Sequence, residues 1–176
     1  MRKVTVVTYD EHWPEAFEAE GVLLQASLGH VVSGIHHIGS TSVPGLAAKP
    51  VIDILLEVTG LVELDSLNAA MARAGYTARG ENGIPDRRYF TKGEEQRSHH
   101  VHAFAAGDPQ IEKHLAFRDY LIRNGKAAEL YARIKRAAAL VNESDTGGYS
   151  AFKKDFIEHH LRLALMKPEK QDAPLL

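Results

Sequence analysis

The chain contains no cysteine. That absence excludes disulfides, thiolate metal sites and a cysteine nucleophile. A surplus of either charge is also missing: 21 lysines and arginines stand against 23 acids, a formal net charge of -2. No strong overall field draws nucleic acid or an acidic membrane, so neither is expected as a partner. Long apolar runs are missing too. No stretch approaches the roughly 20 apolar residues that cross a bilayer. The opening MRKVTVVTYD is too short in apolar residues for the core of a secretory signal. The expected setting is therefore the cytoplasm. Internal repeats and low-complexity tracts are absent as well. With 176 residues, 44% of them apolar, the chain suits one ordinary domain, expected over residues 1–166 with a frayed tail from Lys167 to Leu176.

Histidine is the residue in excess, with ten copies. Seven of them cluster: His36 and His37, then His99, His100 and His102, then His159 and His160. The periodicity around them predicts a mixed architecture. A β-prone run covers Val4 to Val7. Asp10 is placed to cap a helix that carries Pro14 and runs to about Leu28. Strands are expected over Val31 to Ile38 and Val51 to Val58, the second apolar on nearly every residue and so buried on both faces. A helix over Leu61 to Ala74 ends at Gly75. A short strand over Tyr76 to Arg79 precedes a hairpin of Arg87 to Thr91 and Arg97 to Ala105. Asp108-Pro109 opens a helix to Arg123, Gly125 breaks it, and a further helix spans Ala127 to Val141. A loop then covers Asn142 to Gly148, and a last helix runs from Ser150 to Met166. The expected class is α/β (α+β), a mixed sheet backed by helices with a helical C-terminal segment. The apolar stripes of those last helices serve either a homodimer or the domain's own core.

The densest chemistry lies between the first two long strands. Gly39 lets a ligand approach the backbone, and Ser40 and Thr41 offer hydroxyls and N–H groups to phosphate oxygens. Asp53 is one acid inside an apolar strand, where a charge needs a partner, either loop N–H groups or a metal. His100 and His102 alternate along a strand and share a face, while His99 and Val101 share the other. Arg87 and Arg88 sit at the head of the hairpin, Lys49 closes the small-residue loop, and Lys153 and Lys154 open the last helix. Arg118 and Asp119 are adjacent and do not share a helix face.

The segment HIGSTSVPGLAAKPVIDI, with GENGIPDRRYF, HHVH and HLAFRDYL after it and YDEHWPEAFEAE before it, resembles the GrpB family over nearly the whole chain to about Leu165. The resemblance implies a nucleotidyltransferase-like fold, in which Gly-Ser is followed by Asp-x-Asp/Glu on a strand and the carboxylates hold Mg²⁺ on a nucleotide triphosphate. Gly39, Ser40 and Asp53 match that pattern. The second acid falls on Leu55, and Glu57, on the same strand face, is about 13 Å from Asp53, too far to replace it. Histidines are the available substitutes, so the implied metal set is Asp53, His37, His100 and His102. Such a set suits Mn, Zn, Ni or Fe better than Mg. Asp53, Ser40 and Arg88 are the implied catalytic residues. Gly39, Ser40, Thr41, Lys49, Arg88, Arg118 and Lys153 are the implied ligand contacts. No organic cofactor is expected.

The implied partner is a nucleotide or another phosphorylated small molecule. Family members fused to dephospho-CoA kinase point toward coenzyme A-related or nucleotide chemistry. Three readings follow: a metal-dependent transferase, a binding module that has lost two-metal catalysis, and a metal-dependent phosphohydrolase.

Overall fold

The computed structural model describes residues 5–142 and 145–166. The expected run at Val4 to Val7 therefore begins outside the described residues, and its end forms one antiparallel bridge from Val7 to Ala48. The expected tail, 167–176, lies outside them altogether.

Helix α1 spans Trp13–Leu28. Asp10 accepts from the His12 backbone N–H at 3.0 Å, so it closes a turn just ahead of the helix instead of capping it. Strands β1 (Val32–Ile38) and β2 (Ile52–Val58) follow, joined by the small-residue loop. The helix expected over Leu61 to Ala74 is two short ones, α2 (Leu61–Ser66) and α3 (Asn68–Arg73). The Ser66 hydroxyl donates to the Glu63 carbonyl there, a local competitor to continued helix.

Strands β3 (Tyr76–Ala78), β4 (Arg88–Lys92) and β5 (His99–Ala105) complete the sheet. The β4–β5 turn depends on Gly93. Its φ is +83°, and a Cβ there would lie 2.1 Å from the Gln96 carbonyl oxygen.

Helix α4 (Pro109–Arg123) is capped as expected, with Asp108 accepting from the Gln110 N–H at 2.8 Å. Helix α5 covers Gly125–Val141, so Gly125 opens it. Asp145 accepts from the Gly147 N–H and caps α6 (Thr146–Phe152). That cap shortens the expected loop, and Lys153 separates α6 from α7 (Lys154–Leu165).

The five strands lie in the order β1-β2-β5-β4-β3. Only β2 and β5 run parallel, and the other pairs are antiparallel. The alternation of β2 divides the molecule. Ile54, Leu56 and Val58 point to one face and pack with Leu24 and Leu28 of α1, Leu64 of α2 and Met71 of α3. Asp53, Leu55 and Glu57 point to the other face. There Leu55 and Phe104 meet Ile111 of α4. Helices α4, α5 and α7 join through Leu121, Tyr131 and Phe156, which pack with Val43 and Leu46 of the loop. Among the described residues no helix is long and apolar enough to cross a membrane.

Leu24 is fully buried between α1 and the sheet. Leu24→Ala is expected to cost about 2–5 kcal/mol, read as a lowered midpoint in urea denaturation with the slope unchanged.

Candidate functional site

The second sheet face opens into a cleft of about 760 Å³, bounded opposite the sheet by α5, α6 and Lys153 at the end of α6. Asp53 stands at its floor. The strand register fixes its neighbours: Ile38 is its partner on β1, and His100 is its partner on β5. One carboxylate oxygen, Oδ1, lies 3.1 Å from His100 Nδ1 and 3.6 Å from His102 Nε2. Burial alone would raise the Asp53 pKa. The hydrogen bonds and charges of the two imidazoles outweigh it and hold the carboxyl well below the usual carboxylate range. The other oxygen, Oδ2, faces Gly39, whose φ is +70°. A Cβ on Gly39 would lie 2.6 Å from Oδ2, so only glycine lets the loop close over the carboxylate.

His102 is fixed from several sides. Its Nδ1 is 3.3 Å from an Arg87 guanidinium nitrogen. Arg87 donates to the Glu81 and Asn82 carbonyls and lies over the Tyr89 ring at 4.8 Å. The His114 ring, from α4, lies 5.6 Å from that of His102. Burial pushes His114 down to about 4, so it is neutral at pH 7.

Three expected residues are not brought into this cleft. Arg88 pairs with Ala103 and so points to the opposite sheet face, where it grips Asp65 of α2 at 2.7 and 2.8 Å. Arg87, one residue earlier, occupies the cleft side instead. His37 pairs with Ile54 and also faces away, stacked on Phe17 at 4.7 Å with its Nε2 3.0 Å from the Thr41 hydroxyl. Burial pushes it down to about 4. It therefore cannot join Asp53 around a shared ion. Arg118 donates to Asp119 at 2.7 Å, despite their adjacent positions, and to the His37 carbonyl at 3.1 Å. It braces the end of β1.

Ser40, Thr41, Lys49 and Lys153 do line the cleft. The Lys49 and Lys153 ammonium groups sit 3.9 and 4.1 Å from the centre of the Tyr149 ring. Burial, with Lys49 nearby, pushes Lys153 down to about 8 against the pull of Asp53. Lys154 is exposed and lies 3.7 Å from Glu158.

Lys135 is the residue that sequence reasoning missed. It is 1% exposed, lines the cleft and donates to the Ala47 carbonyl. Burial, with Lys153 and Arg136 beyond it, pushes it down to about 7. A signal was present: Lys135 falls on the buried stripe of α5 formed by Ala127, Tyr131 and Ala138. Tyr149, Arg79 and Arg97 are further lining residues without a sequence motif.

The position of the second acid is apolar in fact as well as in name. Leu55 is 0% exposed and packs with Ile38, Phe104 and Ile111. Asp53 is thus a single carboxylate, already turned onto two imidazoles. Among the described residues no group of three or more histidines and acids is arranged to hold a metal ion. The residues do not fit the two-metal centre implied by the fold, and the four-residue set expected around Asp53 does not assemble.

Comparison with solved structures defines the class. Cid1 in complex with its short product ApU matches with a TM-score of 0.53 over 85% of this chain and 48% of that one, at 13% identity. The GLD-2/RNP-8 complex gives 0.55 over 84% and 51%, at 15% identity. These likenesses show a nucleotidyltransferase-like α/β fold. The family model described as GrpB protein matches residues 3–163, and the chain belongs to the GrpB family. GrpB from Enterococcus faecalis is 39% identical, with a TM-score of 0.84 over 90% of this chain and 98% of that one. UPF0157 protein YqkA of Bacillus subtilis (strain 168) is 43% identical over 157 residues, 89% of this chain and 46% of that protein. A dephospho-CoA kinase of Mycolicibacterium paratuberculosis is 28% identical over 186 residues, spanning 92% of this chain and 46% of that protein. The chain thus spans about half the length of these two relatives.

Two substitutions test the floor of the site. Gly39→Ala forces a side chain into a glycine-only conformation against Asp53, and is expected to cost about 1–3 kcal/mol in denaturant unfolding. Leu55→Asp, which restores the acid of the fold's pattern, removes a fully buried apolar side chain. It is expected to cost roughly 2–5 kcal/mol in the same measurement.

Proposed function

We propose that the cleft binds a nucleotide or another phosphorylated small molecule and does not run two-metal nucleotidyl transfer. One observation carries the reading: Lys49, Lys135 and Lys153 line the cleft that holds a single carboxylate, while a buried Leu55 fills the place of the second. Lysines held out of water gain most from an anion that replaces the lost solvation. Arg97 adds to this. It lines the same cleft, and its Nη1 is buried with no partner among the described residues. A phosphate oxygen would satisfy it. The Ser40 hydroxyl supplies a further contact beside Gly39. The likeness to dephospho-CoA kinases puts coenzyme A and its precursors in the panel to be tested, beside the common nucleotides.

The test is titration calorimetry of the full chain with ATP, UTP, coenzyme A and dephospho-CoA, each with and without Mg²⁺. At least one ligand should bind saturably without added Mg²⁺. Lys153→Ala should weaken it about tenfold or more, in keeping with a lost charge-assisted hydrogen bond. No saturable binding, or binding indifferent to Lys153→Ala, would overturn the reading.

The pH dependence has a defined sign. Lys153 titrates near 8 in the ligand-free fold, below its ordinary value. Its charge is present below that pH and lost above it, so anion binding takes up a proton at alkaline pH. Lys135, pushed down to about 7, loses its charge first, so affinity should already decline between pH 6 and 8. It should then fall by up to about tenfold per pH unit above 8 for each linked proton. Calorimetry in buffers of different ionisation enthalpy reads that proton uptake directly.

A further inference from the structure

The poor fit of a metal centre leaves the question of what Asp53 does. The hydrogen-bond pattern around it separates the two histidines by role. Asp53 is ionised, so it accepts, and the His100 nitrogen facing it, Nδ1 at 3.1 Å, must carry the proton. Neutral His100 then has its lone pair on Nε2. That nitrogen has no hydrogen-bond partner among the described residues, is not among the buried unpartnered atoms, and belongs to a side chain that lines the cleft. His102 is different. Its Nδ1 faces the Arg87 guanidinium, which only donates, so Nδ1 accepts and the Nε2–H points toward Asp53. Nδ1 is taken up by Arg87, and Nε2 carries the proton at 3.6 Å from Asp53, so neither presents a lone pair to the cleft. Of the two, His100 presents the lone pair with no partner among the described residues, on a ring held by a carboxylate behind it and packed against Tyr89 at 5.6 Å.

We propose that His100 is a nucleophile that accepts a phosphoryl group on Nε2 from the phosphorylated ligand. The inference rests on the anion-binding reading of the same cleft. Nε2 attacks the phosphorus, an N–P bond forms, and the P–O bond to the leaving group breaks with its electron pair on that oxygen. The proton on Nδ1 stays between His100 and Asp53, whose negative charge offsets the positive charge that develops on the ring. The leaving group takes its proton from water. Attack by water or an acceptor hydroxyl then breaks the N–P bond and returns the lone pair to Nε2. Lys49 and Lys153 hold the phosphoryl oxygens. Asp53 is a positioning residue, and the step needs no second acid at Leu55.

The test is to incubate the full chain with ATP or acetyl phosphate and read its intact mass under alkaline conditions, where phosphohistidine survives. Peptide mapping follows, with the exposed His159 as the internal reference for unselective labelling. One phosphoryl group on His100, at least about tenfold above His159, is expected. His100→Gln should abolish it. Asp53→Asn should slow it about tenfold or more while leaving a melting temperature that shows a folded chain. Phosphate binding by both variants is measured in parallel with inorganic phosphate. Binding of phosphate with no label on His100, or a label no stronger than that on His159, would overturn the nucleophile and leave the binding reading standing. Absence of both binding and label would overturn the two together. A label that persists at full rate in Asp53→Asn would overturn the positioning role and with it the proposed geometry.

Discussion

The parallel pairing of β2 with β5 is the constraint on which the site depends. It sets Asp53 opposite His100 and Leu55 opposite His102. Strand side chains alternate, so a slip of one residue would turn Asp53 into the apolar layer against α1 and leave Ile54 in the cleft. The register is protected because both faces of β2 are buried in different ways. One face is wholly apolar, and the other needs imidazole donors at one place and aliphatic contacts at the next. A charge of this kind is tolerated in a central strand only because the partner strand supplies the hydrogen bonds that water would otherwise give.

Much of the fold could be read from the sequence, and the reasons are local. The Asp108-Pro109 start of α4, the apolar run of β2 and the hairpin of β4 and β5 are encoded by neighbouring residues and took the expected form. The departures lie where local signals compete: Ser66 against helix continuation, and Asp145 capping where a loop was expected. The Gly39–Ser40 loop and Asp53 fell together as read. The faces of His37 and Arg88 did not, because the side a strand residue takes is decided by its pairing partner. Ile54 and Ala103 both belong to the α1 face, and nothing local to His37 or Arg88 announces that. Lys135 was hidden for another reason. A lysine on an alanine-rich helix reads as a solvated charge until the partner of its ammonium, a carbonyl of the distant Ala47 loop, is known.

The electrostatics of the cleft invert those of the two-metal pattern. There, clustered carboxylates are made tolerable by cations bound between them. Here a single carboxylate is offset by protein donors, and the remaining positive charge belongs to lysines and arginines fixed in the fold. This chain therefore keeps the nucleotidyltransferase-like scaffold while the fixed charge lining its cleft is mainly positive. The buried Leu55 makes this more than a missing residue, since its side chain helps hold α4 to the sheet through Ile111.

The ring of Tyr149 has a consequence for how the chain holds together over time. Lys49 comes from the loop ahead of β2, whereas Tyr149 and Lys153 come from α6 and its end. Two ammonium groups gathered on one ring repel each other. The Tyr149 ring and Asp53 offset part of that repulsion between the loop and the C-terminal helices. An anion between them would act as a removable clasp across regions distant in sequence. Slow opening motions of α6 and α7 would then be set by occupancy of the cleft, giving the last helices a ligand-dependent lifetime in the closed state.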